Sequence, residues 1–177
     1  MKTLKAIVPG NLLDGNFKTE AIFSDCMAYR YYLEWRWSDA PALYVCMLNP
    51  STADQKELDT TIKGLVKRAK LWGYGAVIII NLFAFRATKP PDMLAAKDPV
   101  GPDNDLVISM VFKKAMDDGS PIICGWGKDG NRFGRNVQFV AQAEALEVKL
   151  MALEINQDNT PKHPLYIKHE IRPSPWP

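Results

Sequence analysis

The sequence predicts an α/β fold of three layers, α/β/α, in which helices cover both faces of a central, mainly parallel four-stranded sheet and an N-terminal antiparallel hairpin is added to it. Three observations carry this prediction. Leu43 to Leu48 and Ala76 to Ile80 are uninterrupted apolar runs, as strands buried on both faces require, and two shorter runs follow at Pro121 to Cys124 and Val148 to Leu153. Between them lie segments whose apolar residues recur every three or four positions, the helical period. At 177 residues, 47% hydrophobic and 24% charged, the chain has the length and balance of one globular domain, residues 1–177.

The hairpin is read from two strand-like runs, Glu20 to Ser24 and Tyr29 to Trp37. In the second, Arg30, Tyr32, Glu34 and Arg36 alternate with Tyr31, Leu33, Trp35 and Trp37, so an edge or hairpin strand with one covered face is expected, its aromatics serving as core or sheet cover. After Ala40-Pro41 comes the first parallel strand, Leu43 to Leu48, which ends abruptly in Asn49-Pro50-Ser51-Thr52-Ala53-Asp54. Leu58, Ile62, Leu65, Val66 and Ala69 then mark an amphipathic helix from about Asp59 to Trp72, capped by Asp59 or Thr60 and closed at Gly73. Lys63, Lys67, Arg68 and Lys70 decorate it; such a run is ordinarily a solvated face, with phosphate contact as the alternative.

The second parallel strand, Ala76 to Asn81, is rich in β-branched residues that fit a buried pleat and, like the first, ends in asparagine. Leu82 to Pro102 is a proline-rich connection of a length that is often functional, carrying Arg86, Thr88 and Asp98. Asp103-Asn104-Asp105 caps a helix to about Asp118, its acidic first turn opposing the positive helix end. Gly125-Trp126-Gly127-Lys128-Asp129-Gly130 follows the third strand and precedes a helix from about Asn131 to Leu146. Strand, G-x-G-x-x-G and helix in that order is the context of a dinucleotide fingerprint, but Trp126 and Lys128 are bulky for a diphosphate-hugging turn, so a structural glycine turn is preferred. Beyond the fourth strand, the polar run Asn156 to Lys162 leads to His163-Pro164-Leu165-Tyr166 and a proline-rich tail from Ile171.

Composition excludes some functions. A formal net charge of +2, from 22 basic and 20 acidic residues, supplies no global field toward nucleic acid, so any such binding needs a local patch. Cys26, Cys46 and Cys124 each fall inside an apolar run with no C-x-x-C spacing, and are expected as buried, reduced thiols of a cytosolic protein. No metal and no cofactor is expected from these residues. Met1 to Gly10 has charges but no long apolar stretch, and no run approaches a membrane span, so the chain is expected in the cytoplasm and away from membranes.

In open α/β sheets ligands bind at the carboxyl ends of the strands, which here would gather Asn49 to Asp54, Asn81 to Arg86, Gly125 to Gly127 and the His163 loop. No G-x-S-x-G, H-E-x-x-H or Walker loop occurs. Ser51 as a nucleophile with His163 as its base is the remoter reading. The fuller one is a site of neutral hydrogen-bonding groups with one or two ionisable ones. An asparagine carboxamide both donates and accepts, so Asn49 or Asn81 can orient a water or read the edge of a planar base. Asp54 can act as general base, and His163 can donate to a leaving group that gains negative charge. Phe83, Phe85 or Trp126 can stack on a ring. The structural alternatives are that Asn49 and Asn81 cap turns, Ser51 or Thr52 starts a short helix, and His163 is surface.

Leu48 to Asp54, Asp59-Thr60-Thr61, Gly73-Tyr74-Gly75, Asn81 to Thr88, Asp98 to Asp105, Trp126-Gly127 and His163 to Tyr166 form spaced blocks. Together they resemble the bacterial and phage family known as the domain of unknown function 1643, from about Tyr29 to Tyr166. That resemblance implies no activity. A fainter one is to the uracil-DNA glycosylase superfamily, whose mismatch-directed branch has a G-I-N-P-G block and a late H-P-S block. Leu48-Asn49-Pro50-Ser51 is similar to the first, with serine for the second glycine, and His163-Pro164-Leu165 to the second, with leucine for serine. This resemblance implies a glycosylase-like fold in which Asn49 positions the attacking water. Asn81 with Phe83 would hold the flipped base and Arg86 would face phosphate, with Pro50, Ser51, Thr52, Trp126 and Gly127 completing the pocket. The leading expectation is therefore an enzyme acting on a base or nucleotide at an N-glycosidic bond. The alternatives are a non-catalytic module binding a small-molecule nucleotide or nucleic acid, and a Rossmann-type enzyme using Gly125 to Gly130.

Overall fold

The computed structural model describes residues 6–7, 17–51 and 60–177. Among these, eight strands form one sheet: β1 (Ala6–Ile7), β2 (Lys18–Phe23), β3 (Arg30–Arg36), β4 (Ala42–Met47), β5 (Ala76–Asn81), β6 (Ile122–Cys124), β7 (Leu150–Ala152) and β8 (Ser174–Pro175). Their order is β1-β2-β3-β5-β4-β6-β7-β8. Four α-helices accompany them: α1 (Thr60–Leu71), α2 (Pro90–Leu94), α3 (Asn104–Asp117) and α4 (Arg135–Ala145). The α/β class is as the sequence predicts, but the sheet is mixed and wider than four strands. β5, β4, β6 and β7 pair in parallel. β1, β2 and β3 extend this group antiparallel on one side and β8 on the other.

The hairpin is thus part of the sheet. β3 lies between β2 and β5, with Leu33 opposite Ile79 and Arg36 opposite Ala76, and Arg30 through Trp35 are all buried. Charge at Arg30 and Glu34 disguised this in the sequence. Glu34 is tolerated inside because Tyr32 Oη donates to it, Arg36 Nε lies 2.7 Å away and Lys114 Nζ of α3 lies 3.2 Å away.

Alternation along the strands sorts the core. Leu43, Val45 and Met47 join Val77, Ile79 and, from α1, Ile62, Leu65, Val66 and Ala69. Tyr44, Cys46, Ile78 and Ile80 join Val107, Ile108, Val111 and Phe112 of α3 and Phe139 and Ala143 of α4. Each fully buried aliphatic or aromatic side chain contributes about 1.5 to 3 kcal/mol of transfer free energy, so both faces hold their helices firmly. The chain runs from β4 through α1 to β5 over one face, then through α3 to β6 over the other, landing on the opposite side of β4. The segments leaving β4 and β6 diverge, which opens a crevice at the carboxyl rim.

Local boundaries differ where local chemistry does. Gly73 closes α1 with φ 85°, as expected, whereas the predicted Asp59 cap lies outside the described residues. Asp103 precedes α3 but makes no side-chain capping bond. α4 starts at Arg135 and not Asn131, because Lys128–Gly134 forms a 3-10 segment broken at Arg132 (ψ 138°) and Phe133 (φ 56°). Cys46 and Cys124 are buried as expected, but Cys26 is exposed, with its Sγ 3.3 Å from Ser24 Oγ. The 24–29 turn carries it out of the sheet before β3 begins. No helix among the described residues is long and apolar enough to cross a membrane.

Candidate functional site

At the carboxyl rim a cleft of about 540 Å³ opens between α1, the strand ends and the His163 segment. Asn49 and Ser51 enter it after β4, Asn81 at the end of β5, Trp126 and Gly127 after β6, and His163 from the late loop. Met47, Ile79, Ile62 and Leu65 give it an apolar wall.

The backbone that presents Asn81 is held from below. The parallel ladder continues past β5, with Leu82 N donating to Met47 O and Phe83 N to Leu48 O, each at 2.9 Å. Buried Asn104 donates from Nδ2 to both Asn81 O and Leu82 O at 3.0 Å, and Arg135 Nε donates to Leu82 O at 2.8 Å while its Nη2 pairs with Asp105. Asn81 itself is 2% exposed. Its side-chain carboxamide makes no hydrogen bond to another described residue and is not among the fully buried unpaired polar atoms; it borders the cleft, where water or a ligand can reach it.

Asn49 is oriented by its own surroundings. Its Nδ2 donates to Ala87 O at 2.8 Å and to Pro50 O at 3.1 Å, and Ala87 N returns to Pro50 O at 3.0 Å. The carboxamide plane is fixed, with Oδ1 as its acceptor. His163 Nδ1 accepts from Leu165 N at 3.2 Å, so the neutral ring carries its proton on Nε2. The segment behind His163 is clamped twice. Arg68 Nη2 donates to Pro164 O at 3.0 Å and also to Ile167 O. Gly125 lets Pro164 sit against the end of β6, since a Cβ there would stand 2.8 Å from Pro164 Cδ.

Other predicted residues fall elsewhere. Phe83 is fully buried in the α3/α4 core, in edge contact with Phe133, and does not reach the cleft. Arg86 donates from Nη1 to Met27 O at 3.0 Å and lies over the Phe23 ring, away from the cleft. Pro50 is buried behind the lining, and Phe85 packs edge-on to Tyr29. Trp126 touches the cleft but is 2% exposed and packed edge-to-face with Phe139 and Trp176, so it is a wall and not a stacking platform. Thr52 and Asp54 lie outside the described residues.

The glycines after β6 have packing reasons. Gly125 accommodates Pro164, and a Cβ at Gly130 would stand 1.9 Å from Trp126 Cδ1. Because α4 starts only at Arg135, a broken 3-10 segment and not an α-helix N-terminus directly follows the turn. The buried thiols of Cys46 and Cys124 are pushed well above their ordinary 9.0 by desolvation, which removes them as nucleophiles.

The sequence reading gave no site role to Arg30 or Tyr166, which border the cleft together with Thr88, noted in the proline-rich connection, and Lys128 and Asp129 of the glycine motif. Arg30 was legible in principle. It opens β3, which runs antiparallel to β5, so its first residue must arrive at the rim where β5 ends. Asp129 pairs with Arg132 at 3.3 Å, and Tyr166 leans on the His163 ring at 6.0 Å between centroids.

The family model described as "Protein of unknown function (DUF1643)" matches residues 30–165, most of the chain. The chain belongs to that family. The DUF1643 match runs from Arg30 to Leu165 and takes in every described residue bordering the cleft except Tyr166. No curated protein and no solved structure matches the chain. Chemically, the DUF1643 cleft is bordered by the carboxamides of Asn81 and Asn49, the His163 imidazole and the buried guanidinium of Arg30, 6% exposed.

Proposed function

We propose that this DUF1643 protein recognises a planar nitrogenous base in the cleft and hydrolyses the N-glycosidic bond that joins it to its sugar. The observation that carries this reading is the Asn81 carboxamide, fixed at the end of β5, reachable from the cleft it borders and bonded to no other described residue. One acceptor and two donors in a plane match the hydrogen-bonding edge of a base, and an unpaired site of this kind rejects ligands that lack the complementary groups. Asn49 Oδ1 accepts a hydrogen bond from the attacking water and holds it toward the anomeric carbon. As the water oxygen bonds that carbon, the bond to the base nitrogen breaks and its electron pair leaves with the base. His163 Nε2–H hydrogen-bonds the departing base as charge builds on it. Asp54, read from the sequence as the general base, takes the water proton.

The test is to incubate the protein with duplexes and single strands carrying uracil, hypoxanthine, mismatched or modified pyrimidines, and with free nucleosides and nucleotides, scoring abasic sites and released base. Release that falls to background in Asn49→Ala and Asp54→Asn supports the reading. Base-dependent thermal shifts with the ligand recovered intact would show a binding module without turnover. No release above the Asn49→Ala control and no base-dependent shift overturns it.

A further inference from the structure

We propose that a basic groove beside the cleft, formed by Lys63, Lys67 and His169, is a subsite for phosphate groups of the ligand whose base enters the cleft. The inference rests on the base reading above and adds the chemical class of what is attached to the base. The groove, about 300 Å³, runs between α1 and the segment after Pro164. Thr61 and Leu165 line both groove and cleft, so one ligand can occupy the two together.

Two independent features make the groove anionophilic. First, its described lining contains lysines, a histidine, an arginine and threonine hydroxyls and no carboxylate; the neighbouring acid is Glu170, whose charge acts on Arg68 and His169. Second, Arg68 lies beneath it at 1% exposure. Its Nη2 donates to the carbonyl oxygens of Pro164, Ile167 and Lys168, its Nε has no partner, and no carboxylate lies within ion-pair distance among the described residues. A buried guanidinium held by carbonyl dipoles, with Glu170 acting on it from beyond ion-pair distance, keeps positive charge under the groove floor. Gly64 lets the His169 ring approach the helix, since Nε2 lies 3.5 Å from where a Cβ would stand. Lys70, by contrast, lies over Phe17 and Trp37 and takes no part.

The test uses the full chain, a Lys63→Gln/Lys67→Gln double variant and Asn81→Ala. The probes are pyrophosphate, nucleosides, the matching monophosphates and short single strands. Both lysines are exposed, so the double variant keeps the wild-type melting temperature. The wild type should bind phosphate-bearing probes at least about tenfold more tightly than the matching nucleosides, and the double variant should lose that margin. If two strand phosphates are neutralised, the slope of log K against log salt falls by about 1.4 in the variant. A loss seen already with monophosphates assigns the groove to the ligand's own phosphate; a loss confined to strands assigns it to a polynucleotide backbone. Asn81→Ala should reduce discrimination among bases while leaving pyrophosphate affinity intact. If Asn81→Ala changes no base preference but the lysine dependence persists, the base reading fails and the groove stands. Equal binding of every phosphate probe by wild type and double variant, or no binding at all, overturns the groove.

Discussion

Two buried asparagines meet at the end of β5, and the protein uses them differently. Asn104, fully buried, donates to the carbonyls of residues 81 and 82 while its Oδ1 stays without a partner, whereas the Asn81 carboxamide borders the cleft and bonds to no described residue. Their alanine variants should therefore diverge. Asn104→Ala removes two donated hydrogen bonds, leaving Leu82 O with Arg135 alone, and should lower unfolding free energy by about 2 to 3 kcal/mol, measured by urea denaturation. Asn81→Ala removes an unpaired amide and should change stability by less than about 1 kcal/mol while weakening base binding at least about tenfold. Equal destabilisation would make Asn81 a structural residue. Both strand-terminal asparagines, 49 and 81, were legible because an apolar run that stops at a polar residue marks its rim. Phe83 and Arg86 were misplaced because alternation does not continue past Asn81. There the chain folds over the start of α3, tied by Asn104 and Arg135, and sends Leu82, Phe83 and Ala84 into the same core.

Among the helices, α1 carries the least readable element. Its four basic residues look like one solvated stripe, yet they separate into two groove lysines, a lysine over aromatic rings and an arginine at 1% exposure. Sequence spacing cannot separate them, because the partners of Arg68 lie about a hundred positions away, at Pro164, Ile167 and Lys168. Arg68→Met keeps most of the side-chain bulk and removes its donors. It should cost about 2 to 4 kcal/mol, and amide hydrogen exchange at Leu165, Tyr166 and Ile167 should accelerate more than in the central strands β4 and β5. Uniform acceleration throughout would mean that Arg68 supports the core generally and does not clamp the His163 segment. The Gly125 contact with Pro164 acts on the same segment, so a bulkier residue at 125 should shift His163 without loosening α1.

For the whole molecule, the four parallel strands were readable because each is apolar on both faces, but their neighbours were not. Strand order depends on pairings distant in sequence, and β8 is two residues ending in proline, below any periodic signal. The insertion of β3 beside β5 forces Glu34 inside, and this makes the joint between hairpin and α3 sensitive to pH. Burial by itself would raise the Glu34 carboxyl above its ordinary 4.5, but hydrogen bonds from Tyr32 and Arg36 and the charges of Lys114 and Arg36 outweigh burial and hold it lower. A carboxyl lowered in the folded state binds fewer protons there than in the unfolded chain. Its contribution to stability is therefore complete above about pH 4.5 and disappears as pH falls through the lower folded value. Lys114 and Arg36 are left facing a neutral acid once it is protonated. Glu34→Gln should lower the melting temperature at neutral pH and flatten its fall on acidification, because the variant has no proton to take up at that site. Melting curves of both proteins from about pH 7 to about pH 3 should converge at the acid end. Parallel curves would place the acid sensitivity in other carboxylates and leave the buried ion network without a role in holding β3 to α3.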